Sequence, residues 1–353
     1  MNRFPLSYNV TAELIPLFKG ELEACKIKAG DTVALFTDPR TNPHYPAAFF
    51  GAAKELGAHV FQIVVPYMTK STATVGRAYS DDVIPSVAVL EAMKPCTLVV
   101  DMSTVGWLQT NVHNEVLKAG VRTLMVKEPE EVLRRMKAPD PDVVRRALAG
   151  AQAIEAAKSI RVTSPAGTDL RFDKTGRPGK GRRGFSDVPG HWGHWPSGQI
   201  TCAPLEGSAE GVLVVGIGDI MLRLERYVEE PIRCTFEKGR MTTIDGGLDA
   251  MLLKEYLAAW KDERAYIPAH VGWGIEHRCI WYTMALRHVR GGVMDAESFY
   301  GNVLLGMGAN FMGDLGGATR TPAHMDFCLR NCDFYLDGRL IVTGGEIVAK
   351  ELK

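Results

Sequence analysis

Residues 31–126 read DTVALFTD (31–38), AAFFGAAKELG (47–57), HVFQIVV (59–65), VIPSVAVLEAM (83–93), CTLVVDM (96–102), NEVLKAG (114–120) and VRTLMV (121–126). Apolar strand-like runs alternate with stretches of helical spacing, and such alternation builds a parallel sheet covered by helices. Two further helices follow, EPEEVLRRM (128–136) and PDVVRRALAGAQAIEAAKS (141–159), the second announced by Asp140-Pro141-Asp142. Residues 1–159 are therefore expected to form a Rossmann-like parallel α/β domain.

Past residue 159 the period changes. SIRVTSPAGTDLRFD (159–173), GQITCAP (198–204), EGVLVVGIGDI (210–220), ERYVEEPIRCTFEKGRMTTIDGG (225–247) and DFYLDGRLIVTGGEIV (333–348) alternate apolar and polar residues between turn residues. Asp337-Gly338 marks a hairpin and Pro165-Ala166-Gly167 another turn. Residues 160–353 are expected to form an antiparallel, β-rich α+β metal-binding domain, broken by one clear helix, LDAMLLKEYLAAWKD (248–262). Between the first hairpin of this half and Gly198 lies DKTGRPGKGRRGFSDVPGHWGHWPSG (173–198), which reads as a long irregular loop, either a solvated basic segment or a cover for an active site.

The 353 residues suit about two domains of about 150 residues each. Forty-one Lys+Arg balance forty-one Asp+Glu. No chain-wide field exists to hold a polyanion or an anionic membrane, so nucleic acid is not the expected partner. MNRFPLSYNVTAELIPLF (1–18) lacks the apolar run of a signal peptide, and no apolar stretch approaches the ~18 residues of a membrane span. A soluble cytoplasmic protein is expected. Seven cysteines without a C-x-x-C pair point to reduced, mostly buried thiols rather than a disulfide framework or a zinc knuckle.

Nucleotide motifs fail on inspection. GRPGKGRRG (176–184) has no Ser or Thr after its Lys, and Gly216-x-Gly218 is followed by no helix. The histidines are more informative, because His191, His194, His270, His277, His288 and His324 all lie in the second half. In PAHMDFCLRN (322–331) an extended backbone turns His324 and Asp326 to one face, where both can reach one ion. In IPAHVGWGIE (267–276) His270 precedes two glycines that let backbone turn closely around a bound group. Two imidazoles and a carboxylate form a set used by non-haem Fe(II) oxygenases and, in other geometry, by hydrolytic zinc. In HWGHWPSG (191–198), a ring could stack on Trp192 and Trp195 while an imidazole moves a proton; an aromatic plug is the structural alternative.

Taken together, HVGWG (270–274), FYGN (299–302), HMD (324–326) followed by LRNCDFYLD (329–337), HWPSG (194–198), EGSAEG (206–211) and GDI (218–220) resemble the 2,5-dihydroxypyridine 5,6-dioxygenase family. That family is itself similar to the two-metal M29 aminopeptidases, the aminopeptidase T group. The likeness runs along nearly the whole chain and is densest from residue 185 to 337. It implies a mononuclear Fe(II) held by His270, His324 and Asp326, with His194 as the acid/base residue. It matches Glu206 to a peptidase glutamate, expected here to stand behind the ligands rather than bind the ion. Trp192, Trp195 and Trp273 are expected as apolar walls for substrate, and Gly306, where the family pattern carries Ser, as a substrate contact. The peptidases' extra ligands are replaced, by His270 and by the apolar and glycine residues of 303–308, so a second metal is not expected. The implied reaction takes a small hydroxylated aromatic and O₂, opening 2,5-dihydroxypyridine between carbons 5 and 6 to N-formylmaleamate, in a homo-oligomer. The alternatives are an M29-like metal-dependent hydrolase, an aminopeptidase or amidase working without O₂, and a non-enzymatic small-molecule-binding or scaffold protein.

Overall fold

The computed structural model describes residues 7–66, 86–104, 106–286, 293–311 and 313–353. The first residues of VIPSVAVLEAM, 83–85, and His288 lie outside them. The described chain falls into two compact units, one drawn from residues 7–66, 86–140 and 183–197, the other from 141–182 and 198–353. No helix among the described residues is long and apolar enough to cross a membrane.

The first unit has the parallel α/β pattern expected of 31–126. Strands β1 (Thr32–Thr37), β2 (His59–Val64), β3 (Leu98–Asp101) and β4 (Arg122–Val126) alternate with helices α1 (Ser7–Ala24), α2 (His44–Glu55), α3 (Val87–Met93), α4 (Asn111–Lys118) and α5 (Glu130–Arg135). The strands pair in parallel in the order β2-β1-β3-β4, and Trp192–Trp195, β8 in chain order, joins in parallel beyond β4. Side chains alternate between the faces. Val33, Leu35, Leu98, Val100, Leu124 and Val126 pack with Phe18, Leu22, Phe49 and Ala52 of α1 and α2. Ala34, Phe36 and Val99 pack with Leu90, Met93 and Val116 of α3 and α4. Both faces of β1, β3 and β4 are buried, which is why these strands read as continuous apolar runs, while β2 at the edge stays partly exposed.

The second unit begins with α6 (Pro141–Ala156). Its strands are β5 (Ser159–Thr163), β6 (Asp169–Asp173), β7 (Gly179–Arg182), β9 (Gln199–Cys202), β10 (Glu210–Val215), β11 (Ile220–Met221), β12 (Arg226–Tyr227), β13 (Ile232–Glu237) and β14 (Arg240–Asp245). After α7 (Leu248–Ala259) come β15 (Pro268–Gly274), α8 (Val293–Glu297), β16 (Val303–Gly308), β17 (His324–Leu329), β18 (Asp333–Leu336), β19 (Arg339–Thr343) and β20 (Glu346–Ile347). They form two antiparallel sheets, β14-β13-β10-β6-β5-β18-β19-β20 and β12-β11-β17-β16-β15-β9-β7. Val162, Phe172, Leu213, Phe236 and Phe334 of the first sheet share one core with Ile200, Val271, Trp273, Leu305, Met307 and Phe327 of the second. Asp337 (φ 48°) and Gly338 (φ 80°) make the expected tight turn between β18 and β19; two consecutive positive φ values fit the primed hairpin turn.

Residues 173–198 depart from the expected irregular loop, since they contain β7 and β8. The signal was hidden because glycine replaces apolar residues where a neighbour must come close. A Cβ at Gly181 would lie 2.1 Å from the Ala147 carbonyl oxygen of α6, and one at Gly193 2.9 Å from the Phe185 carbonyl oxygen. Four of the five basic residues of this stretch, Lys174, Arg177, Arg182 and Arg183, have partners. Lys174, fully buried, donates to the carbonyls of Ala157 (2.7 Å) and Glu155 (3.4 Å), neutralising the C-terminal end of α6. Arg182 pairs with Asp314 at 2.8 Å, and Arg177 with Glu206. All seven cysteines are free, and six of them are buried.

Candidate metal centre

Three adjacent strands carry the site. β16 pairs on one side with β15, setting His270 opposite Gly306, and on the other with β17, setting Gly306 opposite Asp326 and Gly308 opposite His324. The pleat then decides what faces where. Val271 and Trp273, Leu305 and Met307, Met325 and Phe327 turn to the shared core. His270, Gly306, Gly308, His324 and Asp326 turn to the other face.

His270 is two strands from Asp326, a backbone separation of about 10 Å at the usual strand spacing. Its ring closes that distance by lying over Gly306. A Cβ there would sit 2.4 Å from His270 Nε2, so glycine is required for close approach. Both His270 Nε2 and His324 Nε2 then lie 3.1 Å from Asp326 Oδ1, and the two ring centroids are 5.4 Å apart. One donor atom from each residue falls within 4.8 Å of the others, and all three side chains are buried. Tyr256 donates its hydroxyl hydrogen to the His324 carbonyl at 2.7 Å, fixing the start of β17. Arg223 Nη2 lies 3.4 Å from Asp326 Oδ2.

Protonation favours a cation. Burial pushes the Asp326 carboxyl upward, but His324, hydrogen bonds from both imidazoles and the Arg223 charge outweigh it and hold the group well below the ordinary carboxylate range. Burial lowers the His324 imidazole against the opposing pull of Asp326. An ionised carboxylate and a neutral imidazole at neutral pH are the forms that bind a metal. The donor set of two imidazoles and one carboxylate, buried and convergent, fits one divalent transition metal and matches the three-ligand pattern of non-haem Fe(II) sites.

Along the same face, Leu304 and Cys328 join Ile220, Leu222 and Ala296 in an apolar cluster beside the ligands. Burial pushes the Cys328 thiol well up, so it stays protonated and inert.

Trp273 and Glu206, in the same unit, make other contacts. Trp273 stands on the opposite side of β15 from His270, fully buried and 5.1 Å from the Phe334 ring, as a core side chain. Glu206 accepts from Asn310 Nδ2 (3.0 Å) and the Ala318 N–H (2.9 Å) while pairing with Arg177, so it ties Asn310 to Ala318 ahead of β17. Within the first unit, Trp195 packs edge-on against Phe18 at 5.4 Å in the helix-covered core. Trp192 and His194 share the other face of β8, their rings 5.1 Å apart. They end an aromatic row running Phe36, Trp107, His113, Trp192, His194. Arg223 and Tyr256 were not found from sequence. Neither belongs to a local motif, and only pairing of β11 with β17 and packing of α7 bring them to the site. Asp219 of the GDI segment accepts from the Gly216 and Arg330 N–H groups, both at 2.7 Å, tying the turn before β11 to the end of β17.

Comparison with known proteins gives consistent relatives. The family model NicX: 2,5-dihydroxypyridine 5,6-dioxygenase matches residues 13–349. A curated 2,5-dihydroxypyridine 5,6-dioxygenase of Pseudomonas putida is 37% identical over 345 residues, covering 96% of this chain and 97% of that protein. The solved structure of 2,5-dihydroxypyridine dioxygenase from Pseudomonas putida superposes with a TM-score of 0.91 at 37% identity, covering 97% of this chain and 99% of that one. Wild-type AmpT from Thermus thermophilus superposes with a TM-score of 0.58 at 13% identity over 95% of this chain and 99% of its own, a likeness of fold alone.

Proposed function

This chain belongs to the 2,5-dihydroxypyridine 5,6-dioxygenase family, and on that premise we propose that it is an Fe(II)-dependent dioxygenase that opens a hydroxylated pyridine ring, 2,5-dihydroxypyridine giving N-formylmaleamate. The observation that carries the reading is the buried convergence of His270, His324 and Asp326 on one sheet face. Those three residues would hold the metal, leaving its remaining positions to small molecules. Bound iron(II) would supply a Lewis-acid centre that relays electron density from the electron-rich ring to O₂, the ring itself being the reductant.

The chain's own contributions are positioning and proton movement. Gly306 leaves room for the His270 ring over β16, and the apolar cluster around Leu304 and Cys328 keeps water from part of the same sheet face. His194 is our acid/base residue, assigned from the HWPSG segment, taking the ring hydroxyl proton and later returning one. Trp192, whose ring touches that of His194, is our proposed wall for the substrate ring. His194→Ala should leave metal content unchanged and lower kcat by about 10²–10⁴. Metal loss in that variant would make His194 a ligand instead. A cytoplasmic setting agrees with the seven free thiols, and the homo-oligomer implied by the family likeness is checked by light scattering.

The test is O₂ uptake after anaerobic loading with Fe(II), with 2,5-dihydroxypyridine and carboxylated or nitrogen-free ring analogues. Uptake with loss of ring absorbance and formation of N-formylmaleamate supports the proposal. No uptake with any ring, together with Zn²⁺-supported amide hydrolysis in the absence of O₂, would favour the M29-like hydrolase.

A further inference from the structure

The two oxygens of Asp326 have different partners. Oδ1 lies 3.1 Å from the Nε2 atoms of both His270 and His324, while Oδ2 faces Arg223 Nη2 at 3.4 Å. Arg223 is not held there by its long stem alone. β11 pairs antiparallel with β17, Ile220 opposite Cys328 and Met221 opposite Phe327, which carries the following residues alongside Asp326. The backbone then tightens into a 3-10 turn, Leu222–Leu224, stopped by Glu225 in the left-handed region (φ 48°). Leu222, buried with Ile220, Leu304 and Cys328, anchors that turn, and the Arg223 side chain is only 13% exposed.

We propose that Arg223 is a positioning residue that keeps Asp326 a one-oxygen ligand. A free carboxylate beside a divalent ion can turn both oxygens to it. A guanidinium 3.4 Å from Oδ2 opposes that rotation by its charge, and so preserves a coordination position for the ring or O₂. The planar, permanently charged fork of arginine suits this better than lysine, whose ammonium is a mobile point charge. The inference rests on the metal reading above and deepens it. It concerns how many positions the protein leaves open, not which metal binds.

The experiment uses the full chain loaded with Co(II), whose visible absorption reports coordination number, and titrates 2,5-dihydroxypyridine without O₂. In Arg223→Met, Co(II) should still bind one per chain, its absorption should weaken as the second oxygen joins, and ring affinity should fall by about 10–100-fold. Arg223→Lys should recover part of both changes, and it serves as the folded control if the Met variant melts early. A Met variant whose Co(II) spectrum and ring affinity equal those of the unaltered protein would overturn the proposal, as would loss of Co(II) from both variants. Failure of the unaltered chain to bind Co(II) would instead overturn the metal reading, and this inference with it.

Discussion

The two faces of the seven-stranded sheet are made by the same three strands and put to opposite uses. On the inner face β15, β16 and β17 supply Val271, Trp273, Leu305, Met307, Met325 and Phe327 to a continuous core. On the outer face the same strands supply His270, His324 and Asp326 with glycine between them. The core face is held by volume, since every side chain fills space against the facing sheet. The ligand face is held by omission, since two strands' side chains meet only because the strand between them has none at Gly306. A one-residue slip of register would exchange the two sets, so the dry core fixes the chemistry by fixing the pleat.

This contrast breaks most sharply at the ligands. His324→Ala or Asp326→Ala should abolish metal retention and turnover while the fold persists. Elemental analysis and O₂ uptake decide it, and full activity in either variant would refute the ligand set. On the core face Trp273→Ala should do the reverse, lowering stability by about 3–5 kcal/mol in denaturant unfolding. The folded fraction should still take up one metal per chain; loss of metal without loss of stability would place Trp273 at the site.

Gly306→Ala sharpens the claim that the ligand face works by omission. The added methyl displaces the His270 ring, and metal affinity should fall by about 10–100-fold with little change in the circular dichroism spectrum. An unchanged affinity would mean that the ring has room to spare.

The smallest effect concerns pH. Burial raises the Asp219 carboxyl to about 6, despite the N–H groups of Arg330 and Gly216 that favour its ionised form. The folded value lies above the unfolded one of about 3.9, so the native state binds the extra proton between them. Stability from this group is therefore greatest below about pH 4 and declines toward pH 6, by at most about 1.4 kcal/mol per pH unit. Urea unfolding across that range should show this slope in the unaltered chain and not in Asp219→Asn. The same slope in both would assign it elsewhere.

Where side chains alternate in a simple period, the sequence was legible. The run from Asp31 to Val126 foretold a parallel sheet, and the alternation after residue 159 foretold antiparallel strands. His324-x-Asp326 suggested two candidate ligands because strand geometry puts both on one face. His270 stood out before its two glycines and the resemblance joined it to the other two as the third proposed ligand; the register of β15, β16 and β17 sets it across β16 from Asp326. Less legible was anything set by approach between elements. β7 is strand because α6 presses on its glycines, a fact invisible in GKGR (179–182). Trp195 and Trp273 looked like substrate walls because tryptophan beside histidine reads alike in a core and in a pocket. Only the pleat separates them, since each stands one residue or three out of phase with the neighbouring histidine. Arg223 reaches Asp326 through strand pairing across more than 100 positions, with no local signal to mark it.

The most direct measurement is Fe K-edge X-ray absorption on the anaerobically Fe(II)-loaded chain, beside its His270→Ala variant. The expected result is two imidazoles per iron in the unaltered protein, with one lost in the variant. Absence of imidazole scattering, or scattering indifferent to His270, would contradict a single metal held by His270, His324 and Asp326.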